Sequence, residues 1–154
     1  MSRTLLAEET FMDRMELAAD RSELRVLVEK YAFCADRRDR EGFAGVFTAD
    51  GVLATGQSRR FEGRPAIAGV LDHLDANYPQ TMHFVGNHEV EVDGDVARGL
   101  VYCHARHVYE RDGVKRDTLM VIRYHDSYVR TEIGWQIKER RLDIDWQEDR
   151  PLQI

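Results

Sequence analysis

Three turn signals at near-even spacing, Asp93-Gly94, Asp112-Gly113 and Gly134, divide the second half of this chain into four long segments. The intervals between the glycines are 19 and 21 residues, several times an ordinary strand of about six residues. At a rise of roughly 3.3 Å per residue, strands this long coil and curve rather than stay flat. The expected architecture is four antiparallel strands over residues 80–92, 95–111, 115–131 and 134–146. Strict alternation puts Thr81, His83, Val85 and Asn87 on one face of the first and Met82, Phe84, His88 and Val90 on the other. In the second, Gly99, Val101, Cys103, Ala105 and His107 oppose Leu100, Tyr102, His104, Arg106 and Val108. In the third, Met120, Ile122, Tyr124 and Tyr128 oppose Leu119, Val121, Arg123 and His125. Both faces are partly apolar, the pattern of a sheet covered by helices on one side and by a second subunit on the other. Bulges are expected in strands of this length, and each one reverses the alternation beyond it.

The first half reads as helices that lie across the hollow of that sheet. Residues 4–18 carry apolar positions at Leu5, Leu6, Phe11, Met12, Met15 and Leu17 with loosely helical spacing. Asp20, with Glu23 three residues later, has the pattern of a capping box opening a second helix. At 100° per residue, Leu24, Leu27, Val28, Tyr31, Ala32, Cys34 and Ala35 share an arc of about 160°, and Asp36 lies about 40° beyond its edge. An acid there looks into an interior without being sealed inside it. A short helix over 41–47, a turn at 48–51 and a small edge hairpin of 52–55 with 58–61 follow. Gly63-Arg64-Pro65 then opens a helix reaching about Asn77, with proline at its first turn. No linker or repeat interrupts the chain. It is expected to be one domain over residues 1–154, with 1–19 as an N-terminal helical extension.

Composition narrows the function. A net charge of −6 argues against a nucleic-acid partner, which calls for a basic face. The arginine clusters (Arg37, Arg38, Arg40; Arg140, Arg141) are interleaved with acids and read as a mixed solvated surface. No run of about 20 apolar residues offers a membrane span. The first residues lack the apolar stretch of a secretion signal, so a cytoplasmic protein is expected. Cys34 and Cys103 are too few for a disulfide framework or a zinc site and read as reduced core thiols. His104 and His107 are three apart on a strand, hence on opposite faces, so no metal site is expected.

Three stretches carry a family resemblance: RSELRVLVEKYAFCADRRDREGFAGVFTADGV, MHFVGNHEVEVDGDVARG and IRYHDSYVRTEIGWQIKERRLDIDW. Together they resemble the SnoaL-like branch of the nuclear transport factor two fold, the superfamily of ketosteroid isomerase, scytalone dehydratase and bacterial bile-acid dehydratase. The resemblance covers residues 20–147. It implies an α+β fold: a cone-shaped α+β barrel in which a curved antiparallel sheet and N-terminal helices enclose a cavity, as a homodimer or higher homo-oligomer. It also implies that Asp36 is the helix-end aspartate and His83 the general-base histidine of the dehydratase and dehydrochlorinase members. Tyr31 resembles a tyrosine of the bile-acid dehydratase, and His107 a second histidine of scytalone dehydratase. There are departures. Arg38-Asp39 stands where scytalone dehydratase has a Tyr-Asp pair, and Arg106 or His107 where the bile-acid enzyme has a second acid.

The chemistry these residues support is removal of water or another β-leaving group from a hydroxylated alicyclic, steroid-like or polyketide-like molecule. Imidazole is the base suited to neutral pH, and a carboxylate on its other nitrogen fixes the tautomer. Tyr31 is the candidate donor to the developing enolate or the leaving oxygen. His107, Asn87, Tyr102 and Tyr124 are candidate substrate contacts. No metal or organic cofactor is required. Asp39 is a rival to Asp36 as the histidine's partner. Other readings are a ketosteroid isomerase-like isomerase, a non-catalytic small-ligand protein, and a structural protein like the small subunit of ring-hydroxylating dioxygenases.

Overall fold

A single helix accounts for the N-terminal stretch. α1 (Arg3–Arg37) runs for 35 residues, about 50 Å at 1.5 Å per residue. The computed structural model describes residues 3–56 and 58–152; the side chains of residues 1–9 and of Met12 lie outside that description, and with them the expected apolar positions Leu5, Leu6 and Met12. The apolar arc is buried as expected, with Leu24, Val28, Tyr31, Ala32, Cys34 and Ala35 all in the core. The capping box is not formed. The helix passes straight through Asp20, which is buried and accepts hydrogen bonds from Trp135 Nε1 at 2.9 Å and Arg130 Nη2 at 2.8 Å. A carboxylate with partners on two distant strands does not turn back to its own helix end, so no break occurs there.

After α1 come α2 (Arg40–Gly45), β1 (Phe47–Thr55), β2 (Arg59–Glu62), α3 (Gly63–Asn77), β3 (Gln80–Asp93), β4 (Val96–Arg111), β5 (Val114–Thr131) and β6 (Gly134–Pro151). The six strands form one sheet in the order β2-β1-β6-β5-β4-β3, antiparallel except where β1 runs parallel to β6. The turn glycines explain the spacing. Gly94, Gly113 and Gly134 have φ of 57°, 74° and 103°, a region that side chains disfavour. α1 crosses the hollow against β3 and β6, and α3 packs on β1 and α2. Among the described residues, no helix is long and apolar enough to cross a membrane.

Two bulges decide which side chains enter the hollow. In β3 the pairing with β4 slips between Val85 and His88. His88 therefore turns inward, and Asn87 is exposed on the outside, contrary to strict alternation. Arg25 of α1 holds this slip by donating to the Gly86 carbonyl at 2.6 Å and the Val85 carbonyl at 3.1 Å. In β6, Ile137 faces Tyr128 and Glu139 faces Ser127, so Lys138 is an extra residue. That slip sends Arg140 inward, where it is 0% exposed, and overturns its reading as part of a solvated face. Tyr102 also departs from its expected role. It is 46% exposed on the outer sheet face, beside the row Phe84, His104, Val121 and Trp146.

Candidate active site

Asp36 is in the last turn of α1, and His83 is four residues into β3. Nδ1 of His83 lies 2.7 Å from Asp36 Oδ1, and the backbone N–H of His83 donates to Asp36 Oδ2 at 2.9 Å. The Thr81 hydroxyl donates to Oδ1 at 2.9 Å. Burial acts to raise the Asp36 pKa, but the donations from the His83 ring, its backbone and Thr81 outweigh it and hold the carboxyl below its ordinary value. An ionised carboxylate accepts, so the ring proton sits on Nδ1 and Nε2 carries the lone pair. The His83 side chain is only 9% exposed and that of Asp36 22%. The rival acid is accounted for elsewhere. Asp39 caps α2 by accepting from the Gly42 N–H at 2.9 Å.

His107 joins this pair from β4. Its ring centroid lies 5.5 Å from that of His83 and 4.7 Å from that of Tyr78. Tyr31 and Tyr124 belong to a second cluster, built on Arg140. The guanidinium lies over both tyrosine rings, which meet edge to face, 4.2 Å from each centroid. Its Nε and Nη2 donate to the two oxygens of Asp126 at 2.8 and 2.6 Å. Tyr128 donates to the same carboxylate at 2.6 Å. Burial opposes charge on Arg140, but Asp126 and the surrounding tyrosines more than offset it and keep the group protonated. Burial raises the Tyr31 hydroxyl to about 12, so it stays a donor at neutral pH. Burial likewise pushes the Cys103 thiol up to about 11, with smaller influences from the charges of Arg140 and Asp36. Two buried polar atoms have no partner among the described residues, His107 Nδ1 and Arg140 Nη1. Orphaned buried polar atoms are costly and uncommon, and they mark places where a ligand or water is expected to bind.

The signature of the SnoaL-like domain matches residues 16–141, a span that holds Asp36, His83, His107 and Arg140. The chain belongs to this family. A relative, the uncharacterized protein Rv2910c of Mycobacterium tuberculosis, is 33% identical over 124 residues, covering 79% of this chain and 83% of that protein. Among solved structures, a candidate scytalone dehydratase from Novosphingobium aromaticivorans superposes with a TM-score of 0.77 at 22% identity, over 94% of this chain and 93% of that one. A type 2 hexachlorocyclohexane dehydrochlorinase, LinA, gives 0.80 at 17% identity, over 91% and 93%. At these identities the two structures speak for the nuclear transport factor two-like fold alone.

In this SnoaL-like domain, Asp36, His83 and His107 come together, Tyr31 and Tyr124 meet at Arg140, and Asn87 and Tyr102 lie outside the hollow. Arg140 was missed by sequence reasoning. A signal for it existed: Asp126 alternates with Tyr124 and Tyr128 on an inward face, and an inward acid calls for an inward base.

The buried imidazole of His107 yields a pH prediction. Burial, followed by the charge of His83, lowers its pKa from 6.5 to about 4. The unfolded chain binds a proton near pH 6.5 that the folded chain refuses until near pH 4, so stability falls as pH drops through that window. The full shift corresponds to about 3 kcal/mol. His88, also lowered by burial, acts in the same direction. Urea unfolding at pH 7 and pH 4.5 should show a clear loss for the wild type and a smaller one for His107→Gln. Equal losses would discard the assignment.

Proposed function

We propose that this SnoaL-like protein is a lyase that eliminates water, or another β-leaving group, from a hydroxylated alicyclic, steroid-like or polyketide-like molecule. The observation that carries this reading is the His83–Asp36 hydrogen bond of 2.7 Å, in which the carboxylate is also held by the His83 backbone. In this mechanism Nε2 of His83 removes a proton from the carbon next to a carbonyl. That C–H electron pair becomes the new C=C bond as the β-carbon to oxygen bond breaks, and the imidazolium returns its proton to the departing hydroxyl. Asp36 steadies the imidazolium between the two transfers. Arg140 Nη1 and the Tyr31 hydroxyl are assigned as donors to the oxygen that gains charge, an interaction worth a few kcal/mol in a dry interior. His107 and Tyr124 are assigned to substrate contact. Two structural neighbours bear the names of elimination enzymes, a dehydratase and a dehydrochlorinase, which supports the reading. An acid-based isomerase fits less well, because the free base here is an imidazole rather than a carboxylate.

The test is a screen of cyclic hydroxy-ketones and hydroxysteroids for new ultraviolet absorbance, which reports a conjugated double bond directly. Time-dependent absorbance with release of water is the expected result. Compounds that bind tightly and are recovered unchanged would replace the lyase with a carrier.

A further inference from the structure

Arg38, the first residue after α1, has φ of 57°. This left-handed conformation at a helix end is normally left to glycine. Here the side chain explains it. Nη1 of Arg38 donates to the Ala35 carbonyl at 2.7 Å and to Thr81 Oγ1 at 2.8 Å, and Nη2 donates to the Tyr78 carbonyl at 2.7 Å. Nε lies 3.4 Å from Asp75 of α3. One guanidinium thus joins the end of α1, the end of α3 and the start of β3, the elements on which Asp36 and His83 depend.

The connection to the carboxylate is indirect, and that matters chemically. Thr81 Oγ1 accepts from Arg38 and turns its own hydrogen toward Asp36 Oδ1, 2.9 Å away. A guanidinium placed directly on Asp36 would compete with the imidazole for the same oxygens. With a hydroxyl between them, the cation orients a donor without capturing the acid. We propose that Arg38 and Thr81 are positioning residues, a clamp that fixes the Asp36 carboxylate toward His83 while leaving it ionised and available. The charged and titratable groups around that carboxylate are His83 in contact with it, His107 and Cys103 within reach of its charge, Arg38 beyond the helix end and, paired with Arg38, Asp75. The clamp deepens the lyase reading, which supplies its purpose, yet it can be measured without any substrate.

The experiment is a carbon-detected titration of the aspartate side chains in the full-length, ligand-free protein, with nitrogen shifts of His83 recorded in parallel. In Thr81→Val the Asp36 carboxyl loses one of three donors, and its titration midpoint should rise by about one pH unit. Thr81→Ser should restore it. Arg38→Met should raise it in the same direction and admit a second His83 tautomer. Should Thr81→Val fail to fold, Arg38→Lys keeps the charge but lacks the fork that reaches three partners, and carries the same test. An unchanged midpoint with a single His83 tautomer in these variants overturns the clamp, whatever they do to melting temperature. A shifted midpoint in a protein that converts none of the screened compounds upholds the clamp and overturns the lyase.

Discussion

His83→Ala should abolish turnover of whichever hydroxy-ketone the screen identifies, lowering kcat/KM by about ten-thousand-fold, because the proposed mechanism gives both proton transfers to one imidazole. The fold should survive. The substitution removes the ring that meets Asp36 Oδ1 but retains the backbone N–H that donates to Oδ2 at 2.9 Å, and the Thr81 hydroxyl still donates to Oδ1. Asp36 therefore keeps two of its three donors, and a melting temperature within a few degrees of the wild type is expected. Added imidazole should restore part of the rate, since the space vacated by the ring adjoins the same carboxylate. Steady-state kinetics beside a thermal melt are sufficient. Activity within tenfold of wild type would remove His83 from the mechanism and leave the Asp36 contact as a structural tie.

The long strands were legible because turn glycines with positive φ punctuate them, and a positive φ is a local property that sequence records directly. The inner face of β4, from Val101 through His107, followed from alternation because no slip interrupts its pairing with β5. Asn87 was misplaced because alternation was carried through a bulge, and Arg140 because a charged run was read as solvated surface, although a bulge in β6 turns it inward. A bulge changes which face a residue joins without changing its identity, and nothing in Gly86-Asn87-His88 or Lys138-Glu139-Arg140 states on which side of the slip the extra residue falls. Tyr102 differs in that its outer face was legible from the start. Alternation already placed it on the face opposite Cys103, where the structure also has it. Asp20 shows the reverse situation: a local capping pattern yielded to distant partners, Arg130 and Trp135, that no local window contains. Asp36 and His83 were found from the helical arc and the family resemblance, whereas Thr81 and Arg38 behind them were not, because a hydroxyl on a strand and an arginine at a helix end look like ordinary surface until their partners are known.

Asp36→Asn should be nearly as damaging as loss of the histidine, and the reason lies in counting donors. Three donors converge on this carboxylate: the His83 ring, the His83 backbone N–H and the Thr81 hydroxyl. A carboxylate has acceptor sites for all three; a carboxamide has one acceptor oxygen and an NH2 group. The backbone N–H cannot become an acceptor, so the amide oxygen must turn to it. The NH2 group is then left facing His83 Nδ1, which must become the acceptor, and the ring proton moves to Nε2. The lone pair is lost from the nitrogen proposed as the base, and the negative charge that would steady the imidazolium is lost with it. Replacing a buried tautomer-fixing aspartate by asparagine in a catalytic triad costs about ten-thousand-fold in kcat, and a fall of that order is expected here with little change in KM. Nitrogen shifts of His83 should report protonation at Nδ1 in the wild type and at Nε2 in the variant. If the variant keeps both the wild-type tautomer and a rate within tenfold of the wild type, the carboxylate does not set the base, and the assignment of Asp36 to the reaction is lost with it.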